Sequence, residues 1–274
     1  EENDFCIRAQ AAGWRNLHVL DTFVRHFGGV SFGASKSPRE RAAMETLRRL
    51  HPRYEGDVLR FVQADPARLA RIAVDLARVQ DGGLPVILAV LHDRQGGTER
   101  HVHELADTLR GRAQFLVLRP LSDERASLRL PDPGESLDLV FSLRTEHDRL
   151  MGLLRILGVR HLHYHHLLGN GDRVREMAGH LGVGYDFTAH DYYTLCPQIS
   201  LTRRDGIYCG EEGVGQCTEC LAETPAPGGV DILTWRRPHA AFLKSARYVL
   251  APSRDALSRL AKWVPGAPLR LVPH

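Results

Sequence analysis

Leu84–Arg112 reads LPVILAVLHDRQGGTERHVHELADTLRGR, a buried strand, a glycine turn and an amphipathic helix in one unbroken unit. Pro85 to Leu91 is a continuous apolar run of strand length, the pattern of a parallel strand covered on both faces. Gly96 and Gly97 permit a tight turn with close backbone approach, Thr98 is placed to cap, and Val102, Leu105, Ala106 and Leu109 recur at helical spacing. A helix N-terminus behind a glycine pair offers N–H groups and a positive dipole end to an anionic ligand. The stretch holds neither a full dinucleotide fingerprint nor a P-loop, so taken alone it is equally well a turn that joins strand to helix.

Working outward, further strands are expected at Gln114–Leu118, Leu137–Phe141, His161–Tyr164, Tyr185–Ala189, Tyr248–Ala251 and Leu269–Val272. Helices near Glu146–Leu157, Asp172–Leu181 and Arg254–Trp263 supply crossovers. This alternation predicts an α/β fold, a Rossmann-like parallel sheet flanked by helices, with ligand sites beyond the carboxyl ends of the strands. The residues before it read differently. Asp4–Ala12 is helical, Leu17–Leu20 and Thr22–His26 read as short strands, and a glycine-rich turn spans Phe27–Gly33. Ser37-Pro38-Arg39-Glu40 then reads as a helix start, with Ser37 as cap and Pro38 in the first helical position, and a second helix is expected over Asp65–Val79. The polar, glycine-rich Gln80–Pro85 marks a boundary, giving domains at residues 1–80 and 84–274.

Composition narrows the classes. With 43% hydrophobic and 25% charged residues, the chain has the balance of a globular protein able to bury a sizeable core. A net charge of +3, with basic and acidic residues interspersed, leaves no stripe for nucleic acid. The Arg-rich helix faces before residue 80 read as solvated, with peripheral membrane association the alternative. No apolar run is long enough to span a bilayer, and no secretory signal pattern opens the chain, which begins on Glu1-Glu2-Asn3-Asp4 as if cut from something longer. Four of the five cysteines fall between Cys196 and Cys220, too uneven for a secreted disulfide scaffold, so a reducing, cytoplasmic setting is expected.

Four constellations carry chemistry. Glu1-Glu2-Asn3-Asp4 at a helix start suits either capping or a general base, with His26 downstream. His161, His163 and His165 alternate onto one strand face and His166 opens the following loop; these imidazoles are metal ligands, bases or phosphate contacts, or structural groups. His190-Asp191 falls at the end of the next strand, where an α/β sheet delivers side chains to its crevice. Cys196, Cys209, Cys217 and Cys220 are spaced C-x12-C-x7-C-x2-C, which suits tetrahedral zinc, with free thiols, disulfides or an iron–sulfur cluster as the alternatives.

Two stretches resemble known families. Glu1-Glu-Asn-Asp-Phe-Cys-Ile-Arg, then Ala12-Gly-Trp and His26-Phe-Gly-Gly-Val-Ser-Phe-Gly, is similar to the closing part of the catalytic domain of family 2, GT-A type glycosyltransferases. That resemblance implies a catalytic base at Glu2, with Asp4 nearby, and a place beside metal and diphosphate for His26. The Asp-x-Asp metal motif and the nucleotide-binding half are missing, so residues 1–80 are expected to be a small, mostly helical GT-A remnant whose divalent metal belongs to the missing half. Residues 84–274 resemble the N-terminal domain of a family 4, GT-B glycosyltransferase over about 190 residues, through Gly96-Gly97-Thr98-Glu99-Arg100-His101, His163-Tyr-His-His-Leu-Leu-Gly, His190-Asp191-Tyr-Tyr-Thr-Leu-Cys-Pro and Ala251-Pro252-Ser253. The resemblance implies that Gly96 and Gly97, with Thr98 in the same loop, approach the donor diphosphate and acceptor, and that His165, His166 and His190, with Asp191, face the reacting sugar.

The expected activity is therefore that of a bacterial-type glycosyltransferase moving a sugar from a nucleotide-sugar donor to a glycan or lipid-linked acceptor, as in surface polysaccharide assembly. A donor-binding domain is expected after His274, which would leave this stretch folded but silent alone. The competing expectation is a non-catalytic binding or scaffold module stabilised by zinc on the cysteines. A redox role for Cys217 and Cys220 fits less well, because such a pair normally sits at a helix start beside a strand.

Overall fold

The protein is described by a computed structural model at residues 2–20, 22, 24, 36–132, 137–211 and 213–273. It divides into two compact units, Glu1–Ala73 and Val74–His274.

The first unit is helical. It holds α1 (Glu2–Ala11), α2 (Lys36–Leu50), α3 (Tyr54–Ala64) and the start of α4 (Arg68–Asp81), around a small core that includes Leu47, Ala67 and Ile72. Leu17–Leu20 forms no strand, contrary to expectation; its side chains are exposed, and a half-buried strand has no partner sheet to lie on. Thr22–His26 lies largely outside the described residues. Helix α2 starts at Lys36, so Ser37 and Pro38 sit inside its first turn rather than at cap and first position. Pro38 is tolerated there because the first N–H groups of a helix lack intrahelical partners anyway. The helix expected from Asp65 begins at Arg68 instead. Asp65 closes α3, adopting left-handed φ 40° and donating its N–H to the Phe61 carbonyl, a conformation Asp tolerates better than most residues.

The second unit is a Rossmann-like α/β domain. Strands β1 (Val86–Val90), β2 (Gln114–Leu121), β3 (Arg125–Arg129), β4 (Asp138–Ser142), β5 (Val159–Tyr164), β6 (Gly184–Thr188), β7 (Tyr248–Ala251) and β8 (Leu269–Leu271) form one sheet in the order β4-β3-β2-β1-β5-β6-β7-β8. Neighbours from β2 to β8 are parallel. The expectation of a wholly parallel sheet needs one correction: β3 is antiparallel to both β2 and β4, making an antiparallel edge. Strand β3 is hard to read because Arg125 and Arg129 bound it and Ser127 lies at its centre. Ser127 is fully buried, and its hydroxyl donates to the Asp138 carboxylate at 3.0 Å.

Helix α5 (Gly97–Thr108) follows β1 and packs Val102 against Ala89, Leu91, Phe115 and Val117. The remaining helices are α6 (His147–Ile156), α7 (Asp172–Arg175), α8 (Met177–Leu181), α9 (Val214–Glu223), α10 (Ile232–Ser245) and α11 (Arg254–Trp263). Helix α10 is disguised in sequence by Pro238, which forfeits one internal hydrogen bond. Trp235, His239, Phe242 and Leu243 bury one face of it, and the Asp231 carboxylate caps it by accepting from the N–H groups of Leu233 and Thr234. Among the described residues, no helix is long and apolar enough to cross a membrane.

Candidate active site

The chain runs from β1 through α5 to β2 on one side of β1, then crosses to place β5 on the other. The sheet therefore has its topological switch point between β1 and β5, where an open α/β sheet leaves a crevice beyond its strand ends. The pairing of these strands continues past their ends: the N–H groups of His165 and His166 both donate to the Val90 carbonyl, at 2.9 and 3.3 Å. Asn170 clamps the same loop by donating its amide to the Leu91 carbonyl at 2.8 Å. The glycine turn and the histidine loop consequently leave adjacent strands at the same sheet end.

The histidines of β5 and its loop meet partners on β6 and its loop at one constant offset of 25 residues. His161 Nε2 lies 2.9 Å from Asp186, His163 Nε2 lies 2.8 Å from the Thr188 hydroxyl, His165 Nδ1 lies 3.1 Å from His190 Nε2, and His166 Nε2 lies 2.7 Å from Asp191. The strands themselves pair in parallel with His161 opposite Gly184 and His163 opposite Asp186, so each histidine reaches a partner two residues beyond its register neighbour. Of the readings open for His161, His163 and His165, the partner-bound one describes their hydrogen bonds, because each turns to its own partner on β6 or the loop after it. Burial pushes the His163 imidazole down to about 4, so it stays neutral beside Thr188.

The imidazoles that do converge are His165, His190 and His101 of α5. Their ring centroids are 5.5 Å (His101–His165), 5.1 Å (His101–His190) and 5.4 Å (His165–His190) apart. One nitrogen from each lies within 4.8 Å of the other two, so the trio has the spacing to hold a divalent ion or to surround a phosphate or sugar oxygen. His165 is fully buried and His190 partly exposed, which gives the group a dry interior and a wet face. An imidazole–imidazole hydrogen bond needs one N–H and one lone pair. The His165–His190 pair thus carries at most one positive charge and holds a proton that can move between rings.

His166 has a different position. Its Nδ1 accepts the Leu168 N–H at 2.9 Å, so the neutral ring carries its proton on Nε2 and donates it to Asp191. Both nitrogens are occupied, and the ring orients Asp191, whose other oxygen accepts the Tyr193 N–H at 2.9 Å. Burial pulls the Asp191 carboxyl upward, but His166 and the Tyr193 N–H outweigh it and hold the group below the ordinary carboxylate range. The stabilisation from a depressed carboxyl is present above the unfolded pKa of about 3.9 and is lost as pH falls through the lower folded value. Asp191→Asn is therefore expected to lower the urea midpoint at pH 7 and to flatten its fall below about pH 4. Parallel pH profiles for variant and wild type would contradict this linkage.

At the turn, Gly96 adopts φ 143°, a region open to glycine, and α5 begins at Gly97. Thr98 is consequently a buried residue inside the helix rather than its cap, and the cap position Gly96 has no side chain to accept from the first-turn N–H groups. A Cβ on Gly96 or Gly97 would meet nothing within 4 Å, so the turn faces open space. Glu99 in this first turn pairs with Arg119 of β2. His92, at the end of β1, sets its ring edge-on to His166 with centroids 4.8 Å apart, and burial depresses its pKa.

The structure thus brings together His165, His166, His190 and Asp191 and adds His92 and His101, while Gly96, Gly97 and Thr98 form the turn and first turn of α5, the helix that carries His101. His101 is legible from sequence only through its place one helical turn after Gly97, and His92 only as the residue that follows the apolar run. Glu2 opens α1 in the first unit, and His26 lies outside the described residues. Asp4, expected beside a base at Glu2, is held by His51 Nε2 at 2.8 Å and Arg8 at 3.1 Å. Cys196, Cys209, Cys217 and Cys220 line a cavity of their own. Neither a scan against protein-family models nor a search of curated proteins finds a match to this chain.

Proposed function

We propose that the second unit is the acceptor-side domain of a GT-B type glycosyltransferase, and that its switch-point crevice transfers a sugar from a nucleotide-sugar donor to a glycan or lipid-linked acceptor. The observation that carries this reading is the His165–His190 hydrogen-bonded pair, with His101 against it, at the strand end where the Gly96-Gly97 turn also emerges. In the proposed reaction the bond from the anomeric carbon to the donor diphosphate breaks and a bond from that carbon to an acceptor hydroxyl oxygen forms. The hydroxyl proton passes to the imidazole pair, whose neutral state has a lone pair to receive it. The nucleoside diphosphate leaves toward the first turn of α5, where N–H groups at a helix start favour an anion. The first unit enters this proposal as the helical remnant of a GT-A domain, on the resemblance around Glu2 and Asp4.

The test is a transfer assay on the full-length protein with a panel of labelled nucleotide-sugars and glycan or lipid-linked acceptors. Label is expected to move to an acceptor with release of nucleoside diphosphate. Failure of every donor either to bind or to release diphosphate would overturn the reading.

A further inference from the structure

We infer that Cys196, Cys209, Cys217 and Cys220 form a structural site for one zinc-class divalent ion that fastens residues 197–229 to the α/β domain. The inference goes beyond the transferase reading and does not rest on it. All four thiols are free, and although they are spread over 25 residues of sequence, 196 to 220, they line one cavity of about 20 Å³. That is room for about one water-sized occupant. The four sulfurs come from three local elements or turns. Cys196 follows the turn after β6, Cys209 is fixed by its N–H to the Leu201 carbonyl at 2.9 Å, and Cys217 and Cys220 lie one turn apart on α9.

The segment needs such a fastening. Between Gln198 and Gly229, only Leu201 and Ala226 are buried apolar side chains among the described residues, so no hydrophobic core holds it. Ile199 and Leu201 nevertheless keep left-handed backbone, φ 61° and 57°, which a branched side chain resists and which persists only where surrounding structure imposes it. The charge also fits. Four thiolates around a divalent ion leave a net charge of −2, and two guanidiniums stand at the cavity: Arg203 lines it, and Arg236 Nη2 lies 3.6 Å from Cys217 Sγ while its Nε donates to the Leu195 carbonyl. The sulfurs ring the cavity more loosely than His101, His165 and His190 approach one another, and ligation draws them inward. Four S–H groups give up their protons to solvent as four metal–sulfur bonds form, with no change of oxidation state.

The test is metal analysis of the purified chain, followed by cobalt substitution, on wild type and on Cys220→Ser and His101→Ala. The expected result is about one zinc per chain, cobalt spectra with thiolate charge-transfer bands, loss of at least about ten-fold in occupancy for Cys220→Ser and none for His101→Ala. Chelation is expected to open residues 197–229 to protease. Where Cys220→Ser fails to fold, the wild-type cobalt spectrum decides. Zinc absent with four titratable thiols, zinc retained by Cys220→Ser, or a cobalt spectrum without thiolate bands that vanishes in His101→Ala would each overturn the inference.

Discussion

His190→Ala in the full-length protein is expected to lower sugar transfer by about 10²–10⁴-fold, the usual contribution of a positioned acid–base group. His190 is partly exposed, so the substitution removes the imidazole without emptying a closed core. His165 is fully buried, and its replacement is better made as Asn, which keeps an amide near the position of Nδ1 while removing the base. A loss in the catalytic rate with a urea midpoint close to wild type supports a proton-handling role for the pair. His166 serves as the contrast. Both of its nitrogens are engaged, by Leu168 and Asp191, so its replacement should act through the placing of Asp191 and be accompanied by lost stability. Wild-type transfer rates in both His190→Ala and His165→Asn would remove the pair from the mechanism.

Leu88→Ala is expected to destabilise the second unit by about 2–5 kcal/mol. Leu88 is fully buried on β1, with Leu116 of β2 and Leu162 of β5 as register neighbours, both also fully buried. Helices cover both faces of a parallel sheet, so nothing there relaxes readily into the space left by an isobutyl group. A domain is typically stable by only about 5–15 kcal/mol, so this single change removes a large part of the margin. Because β1 also bounds the switch point, the same variant should loosen the histidine loop that hangs on Val90 and Leu91. Urea unfolding followed by far-UV circular dichroism measures the effect, and a shift under about 1 kcal/mol would contradict the view that β1 is the centre of the core.

The sheet was legible because its central strands are continuous apolar runs. Val86–Val90 and the Phe115–Leu118 run of β2 announce two-sided burial, whereas β3 hides a buried serine between two arginines and α10 hides behind Pro238. The site was legible in part. His165, His166, His190 and Asp191 could be placed at strand ends by alternation, but which groups meet depends on register between β5 and β6, and that is fixed by long-range pairing. The constant offset of 25 residues is visible in the sequence only once the two strands are known to be parallel neighbours. His101 joins from a helix, whose rotation over the sheet is set by Val102 and the apolar residues around it rather than by any local motif. The first unit was least legible: Asp65 reads as a helix start but serves to end α3, an ambiguity that a short polar side chain always carries.

The most direct test of the central proposal is imidazole NMR on the isotope-labelled full-length protein, with the signals of His101, His165 and His190 assigned by substitution and followed as nucleotide-sugar and acceptor are added. The account predicts that the three signals shift together and saturate with the ligand, and that His161, whose ring is held by Asp186, stays unmoved. Saturable binding of donor and acceptor that leaves all three signals in place would contradict it.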